Sequence, residues 1–237
     1  MSRKSAVILL LMATLAAGSA YGSEADIRQG IQARFPELPI ESVAKTPFGG
    51  IYEVVLGGRI LYTDDKVSFI FVGNLLDTRG ASERDITIER SAQLTLQTLR
   101  KSTDLSIKRV RGNGKRVLYT FEDPNCGFCK QLQKELAKVT DITIYTFLWP
   151  ILSPDSVVKS RNVWCAKNRG KAWDDLMTHG TVPQNDGKCD TPIEKNMELA
   201  RRFRVNGTPA IFLADGSMIG GYVPADKLEQ ALASASK

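Results

Sequence analysis

The stretch F-E-D-P-N-C-G-F-C-K-Q-L, Phe121 to Leu132, sets Cys126 and Cys129 at a C-x-x-C spacing where a strand gives way to a helix. The preceding residues, K-R-V-L-Y-T from Lys115 to Thr120, are β-branched and aromatic enough for a buried strand. The following ones, Lys130 to Val139, carry apolar residues at helical spacing. Asn125 is the candidate N-cap, which puts Cys126 at the first helical position. Free backbone N–H groups and the positive end of the helix dipole favour a thiolate there. Cys126 is therefore the expected nucleophile. Cys129, one turn further in, is placed to attack a mixed disulfide on Cys126 and release its partner.

A zinc site is the competing use of such a pair. The other two cysteines, Cys165 and Cys189, do not form a second close pair, and His179 is the only histidine in the chain. A metal would need distant cysteines alone. A purely structural disulfide inside C-x-x-C closes too short a loop to gain much from chain entropy. Thiol exchange calls for no metal and no cofactor.

Arg3 and Lys4 precede an apolar run from Ala6 to Ala17, and small residues follow at Gly18, Ser19 and Ala20. This is the pattern of a secretory signal peptide. Cleavage after Ala20 or Gly22 is compatible with the small side chains, and cleavage after Gly22 is preferred. The run is shorter than the roughly 20 residues needed to span a bilayer, so a soluble exported protein is expected, in an oxidising space where cysteine pairs persist. Removing Arg3 and Lys4 takes the 32 basic residues to 30 against 26 acidic ones, a net charge of +4. That mild balance does not point to nucleic acid. The densest basic cluster, Lys108, Arg109, Arg111, Lys115 and Arg116, surrounds the turn Gly112-Asn113-Gly114 and reads as a solvated hairpin or loop rim.

After residues 1–22, the chain opens on an amphipathic helix over 24–35, with Ile27, Ile31 and Phe35 at four-residue intervals and Pro36 as its stop. Strands are expected at Ile51–Leu56, Arg59–Tyr62 and Val67–Val72, with turns at Gly57-Gly58 and Asp64-Asp65. Residues 23–81 form a unit with a thin core and a strand edge that a second copy would cover. A linker helix is expected within 82–106. Beyond it, over 107–237, come a strand at 115–122, a helix at 126–139 and a strand at 141–147. A helical section at 154–204, strands at 210–213 and 217–219, and a last helix from Pro224 complete the order. A β-α-β unit, a helical excursion, a hairpin and a helix define an open α/β sheet, and a C-x-x-C heading its first helix is the thioredoxin-like pattern.

Gly207-Thr208-Pro209-Ala210 precedes the later strand. In thioredoxin-like folds the proline at this place is cis and lies against the dithiol, so the resemblance implies that role for Thr208 and Pro209. Backbone groups before a cis proline are free to pair with an extended peptide. Cys165 and Cys189 are expected to pair with each other in an exported protein with an even cysteine count. Closing that loop is worth roughly 3.5 kcal/mol in the chain-entropy model. His179 reads as a surface or capping residue. Glu122 and Asp123 flank the dithiol, either as groups that tune a proton transfer or as exposed loop charges.

C-G-F-C, V-W-C-A-K-N-R-G-K-A-W-D-D, the late Cys189, V-N-G-T-P-A and the ending G-G-Y-V-P together resemble the DsbC/DsbG family of periplasmic disulfide-bond isomerases over the whole expected mature chain. The resemblance implies an α+β, cystatin-like N-terminal dimerisation domain. A linker helix would join it to an α/β thioredoxin-like domain with a helical insertion. It further implies a homodimer whose two dithiols face a cleft for misfolded, disulfide-containing exported proteins, with chaperone activity. A membrane reductase of the DsbD type would keep the site reduced. Gly127 and Phe128 would contact substrate along with Thr208 and Pro209. A dithiol oxidase or reductase of the same fold, and a dimeric holdase with secondary redox activity, are the alternative functions. Phe128 stands where a tyrosine is usual and Lys130 where histidine is common. Thr120 stands six residues before Cys126, where many thioredoxins keep a buried acid, so their proton-transfer scheme does not carry over directly.

Overall fold

A computed structural model describes residues 23–235. The expected signal peptide, residues 1–22, lies outside the described residues. The chain divides into two compact units between Val72 and Gly73.

In the first unit, helix α1 (Glu24–Arg34) starts on a capping box. The Asp26 N–H donates to Ser23 Oγ (3.2 Å) and the Ser23 N–H donates to Asp26 Oδ2 (2.8 Å). Ile27 and Ile31, one turn apart, are fully buried against Val43, Val54 and Leu61. These come from an antiparallel sheet in the order β1 (Ile40–Lys45), β2 (Tyr52–Leu56), β3 (Arg59–Thr63). The β2–β3 turn needs two residues at positive φ, and Gly57 and Gly58 supply them at 54° and 76°. The strand expected at Val67–Val72 is not formed. Val67 turns into the core at φ 54°, breaking the extended run, and only Phe71 makes an isolated bridge, to Tyr62. Strand β1, paired with β2 on the side away from β3, was not expected from the sequence.

In the second unit, a two-stranded ribbon of β4 (Leu76–Asp77) and β5 (Arg84–Asp85) leads into α2 (Ile86–Lys101). Asp85 caps α2, accepting from Ile88 N–H at 2.9 Å. There follow β6 (Ile107–Arg111), β7 (Arg116–Glu122), α3 (Gly127–Leu136), β8 (Ile142–Leu148), α4 (Pro154–Trp164), α5 (Arg169–His179), α6 (Ile193–Arg202), β9 (Ala210–Phe212), β10 (Met218–Gly220) and α7 (Ala225–Ser234). The five-stranded sheet runs β10-β9-β7-β8-β6, with β7 and β8 parallel and the other pairs antiparallel. Strand alternation sends Leu118 and Ile144 to one face, where Leu132 and Leu136 of α3 and Leu228 and Leu232 of α7 cover them. It sends Tyr119, Phe121 and Phe147 to the other, against Leu99, Ala200 and Phe212. Phe121 stacks on Phe147 with centroids 4.9 Å apart.

The basic cluster at 108–116 is not a solvated rim throughout. Residues Ile107–Arg111 are an edge strand paired with β8, and its alternation buries Ile107 and Arg109 while Lys108 faces solvent. His179 is exposed at the end of α5, where Gly180 terminates the helix at φ 73°.

Candidate dithiol site

Strand β7 delivers its chain to the dithiol through a short loop fixed by one carboxylate. Asp123 is fully buried. Its Oδ1 accepts from Asn125 N–H (2.7 Å) and Ser156 Oγ–H (2.8 Å), and its Oδ2 from the N–H groups of Ile151 (2.8 Å) and Leu152 (2.9 Å). The Asp123 carbonyl accepts from Cys126 N–H at 3.1 Å. One side chain thus accepts four hydrogen bonds from the dithiol loop, the segment at 151–152 and the start of α4.

Asn125 is not the N-cap. Its amide donates to Ser153 Oγ (3.1 Å), Asp155 Oδ2 (2.8 Å) and Ser156 Oγ (3.0 Å), tying the loop to the start of α4, and its oxygen accepts from Lys159 Nζ at 2.8 Å. Cys126 caps α3 itself, its Sγ accepting from Cys129 N–H at 3.3 Å. The sulfur sits where a capping carboxylate oxygen would, so negative charge is favoured on it. Hydrogen bonding with the Cys129 side chain does most to bring the Cys126 thiol down to about 5. Burial opposes this, and bonds from the Thr208 side chain and the α3 backbone assist. Cys129 is fully buried, and burial pushes its thiol well above the ordinary range. One thiol is poised to ionise and its neighbour to stay protonated. Both cysteines are free.

The Thr208–Pro209 peptide bond is cis, and Cys126 Sγ–H donates to the Thr208 carbonyl at 3.3 Å. Pro209 is buried, Thr208 half-buried, Gly127 exposed and Phe128 60% exposed. The structure therefore gathers Cys126, Cys129, Gly127, Phe128, Thr208 and Pro209 at one place. Cys165 and Cys189 stand apart from it. They are joined by a disulfide with a Cα–Cα distance of 5.7 Å that links the end of α4 to the segment before α6.

Beneath the cysteines lies Glu122, also fully buried. Of the two readings open for Glu122 and Asp123, exposed loop charges are excluded for both. Leu118, Thr120 and Glu122 share the α3 face of β7 by strand alternation. Thr120 Oγ1–H donates to Glu122 Oε1 at 2.6 Å, and Gln133 Nε2 donates to both carboxylate oxygens, at 2.9 and 2.7 Å. Burial pushes the Glu122 carboxyl up, and the charge of Arg109 opposes the rise. The sequence reading missed Gln133 and Arg109. A signal for Gln133 was present, since it lies one helical turn after Cys129 between the buried Leu132 and Leu136.

An acidic thiol at a helix start, a buried thiol one turn in, and a cis-proline loop against them on this sheet define a thioredoxin-like thiol–disulfide oxidoreductase. Residues 103–236 match the thioredoxin-like domain model and residues 18–88 the model of the disulfide bond isomerase protein N-terminal domain. The chain is 42% identical to the probable thiol:disulfide interchange protein DsbC of Bordetella parapertussis, over 87% of this chain and 73% of that protein. It is 28% identical to the DsbC of Escherichia coli K12, over 94% of both. A disulfide interchange protein from Neisseria gonorrhoeae superposes with a TM-score of 0.55 at 40% identity, covering 57% of this chain and 99% of that one. The chain belongs to the DsbC family of thiol:disulfide interchange proteins.

Proposed function

We propose that the protein isomerises incorrect disulfides in exported proteins, with Cys126 as the attacking thiol. The observation that carries this is the Cys126 sulfur in the N-cap position of α3, accepting from the N–H of Cys129, whose own thiol is fully buried one turn further in. The Cys126 thiolate attacks one sulfur of a substrate disulfide, and the other sulfur leaves as a thiolate. That thiolate attacks a second substrate disulfide, which rearranges the tethered chain, and the encounter ends either when a substrate thiolate attacks the mixed disulfide and expels Cys126 as its thiolate, or at Cys129. In the second case Cys129 attacks Cys126 Sγ, a Cys126–Cys129 disulfide forms, and the substrate departs reduced. The Cys129 proton passes to the Glu122 carboxylate, the buried base on the same face. Thr208 and Pro209, with Gly127 and Phe128, contact the substrate chain beside the reacting sulfur.

Residues 23–81 serve as the dimerisation domain, 82–106 as the linker and 107–237 as the catalytic domain. A homodimer is supported by the match to the isomerase N-terminal domain and by the half-exposed Phe69 and Phe71 beside β3, an edge strand. The cell location is the periplasm, reached by the signal peptide, and chaperone activity accompanies exchange. A membrane reductase of the DsbD type returns the dithiol to its reduced form. Among the described residues no helix is long and apolar enough to cross a membrane.

The test is trapping. A Cys129→Ala chain accumulates a mixed disulfide with a scrambled substrate, and a Cys126→Ala chain does not. Equal trapping by both would reverse the assignment of nucleophile.

A further inference from the structure

Strand β6 carries one side chain whose placement the thiol chemistry above leaves unexplained. Arg109 is 7% exposed, and its guanidinium reaches three different elements. Nη1 donates to Gln133 Oε1 of α3 at 2.6 Å and pairs with Asp174 Oδ1 of α5 at 2.6 Å, while Nη2 donates to Thr146 Oγ1 of β8 at 2.9 Å. Thr146 and Gln133 are in turn the groups that contact Glu122. Gln133 Nε2 binds both carboxylate oxygens, and Thr146 Oγ1 lies 3.5 Å from Oε1. A continuous path of hydrogen bonds therefore runs from the buried carboxylate through Gln133 to Arg109, and on to Asp174, which is 43% exposed.

The path has the parts a buried base requires. An isolated carboxylate out of water takes up a proton and is no longer a base. A fixed positive charge one amide away opposes that uptake without quenching the carboxylate in a direct ion pair. A guanidinium suits this because its fork can hold several acceptors in one plane, which an ammonium cannot. The titratable groups around Glu122 are few: Cys126 and Cys129 from α3 on one side and Arg109 from β6 on the other, with Asp174 of α5 behind Arg109. Thr120, Thr146 and Gln133 complete its surroundings without titrating.

We propose that Arg109, anchored by Asp174, is a positioning residue for the dithiol: through Gln133 and Thr146 it holds the Glu122 carboxylate ionised to receive the Cys129 proton when the dithiol closes. The inference rests on the reading of Glu122 as that base. In the step it serves, the Cys129 S–H proton moves to Glu122 as Cys129 sulfur bonds to Cys126 sulfur, and the substrate sulfur leaves Cys126 with the electron pair of the broken bond. The two cysteines are oxidised and the substrate disulfide is reduced.

The reduced full-length chain mixed with a symmetrical aromatic disulfide separates the steps, because Cys126 releases the first coloured thiolate and Cys129 the second. The rate of the second release is followed against pH in the native chain, Arg109→Lys, Arg109→Met, Glu122→Gln, and the double variant Arg109→Met with Glu122→Gln. The rising limb of the second phase should move to higher pH in the order native, Lys, Met. On that limb the Met variant should be about tenfold slower than the native chain, the change that one unit of displacement produces. In the Glu122→Gln background the Arg109→Met effect should vanish. A Lys profile superimposed on the native one, or a Met effect that persists without Glu122, would overturn the role of Arg109. If Met does not fold, the Lys profile decides alone. A Glu122→Gln chain with the native profile would instead remove Glu122 as the base.

Discussion

Cys126 Sγ lies 3.3 Å from the carbonyl oxygen of Thr208, the residue joined by a cis bond to Pro209. The thiol donates to that carbonyl, and the thiolate cannot. Ionisation of Cys126 therefore frees the Thr208 carbonyl to accept a backbone N–H from a chain laid beside the site, at the moment the sulfur becomes nucleophilic. In the proposed exchange, activation of the sulfur and readiness to hold a peptide would be coupled through this one contact.

The acidic thiol has a direct readout. Thiolate absorbance of the reduced chain, or its alkylation rate, should rise with a midpoint near pH 5 and be flat through neutrality, against an ordinary thiol value of 9.0. Because the folded-state value is depressed, the thiolate's contribution to the stability of the reduced form is full above pH 9.0 and is lost as pH falls through about 5. Reduced chain should therefore lose stability over this range on acidification relative to the oxidised chain, whose cysteines do not titrate. Cys129→Ala, which removes the largest favourable bond, should move the alkylation midpoint upward.

Asp123 holds the approach to the dithiol. Asp123→Ala leaves the N–H groups of Asn125, Ile151 and Leu152 and the Ser156 hydroxyl without their acceptor. The loss in unfolding free energy should be about 3 kcal/mol or more, the scale for stranding buried donors of a charged acceptor. Denaturant unfolding measures it, and a cost below 1 kcal/mol would show that water replaces the carboxylate.

The Cys165–Cys189 bridge is predicted to stabilise without taking part in exchange. With a sequence separation of 24, its removal in the double alanine variant should cost about 2–4 kcal/mol. The alkylation profile of Cys126 should not change. A shifted profile would connect the bridge to the redox chemistry.

Cys126 and Cys129 were legible as a dithiol because they combine a spacing, a strand before and an amphipathic helix after, each visible in local residues. Strands β7 to β10 of the second unit were legible for the same reason, and the edge strand β6, read as part of a basic loop rim, was not. What escaped the sequence depends on partners far along the chain. Glu122 ends a strand and Asp123 follows it, so both read equally well as loop charges, and only α3, α4 and the segment at 151–152 closing over them make both buried acceptors. Arg109 sits in a run of basic residues beside a glycine turn, and burial by α5 sets it apart from Lys108. Asn125 has the right chemistry for an N-cap, yet Asp155 and Ser156 compete for its side chain and Cys126 takes the cap. In the first unit, Val67 shows the same limit, since its β-branched side chain favours a strand while the core draws it inward at positive φ.

The most direct test of the account is recovery of a scrambled multi-disulfide protein by the pre-reduced chain, compared with Cys126→Ala and with a form beginning at Lys108. Recovery by the whole chain, its loss in Cys126→Ala and a sharp fall on truncation are the predicted results. Full recovery with Cys126→Ala, or a whole chain that only oxidises or only reduces the substrate, would contradict it.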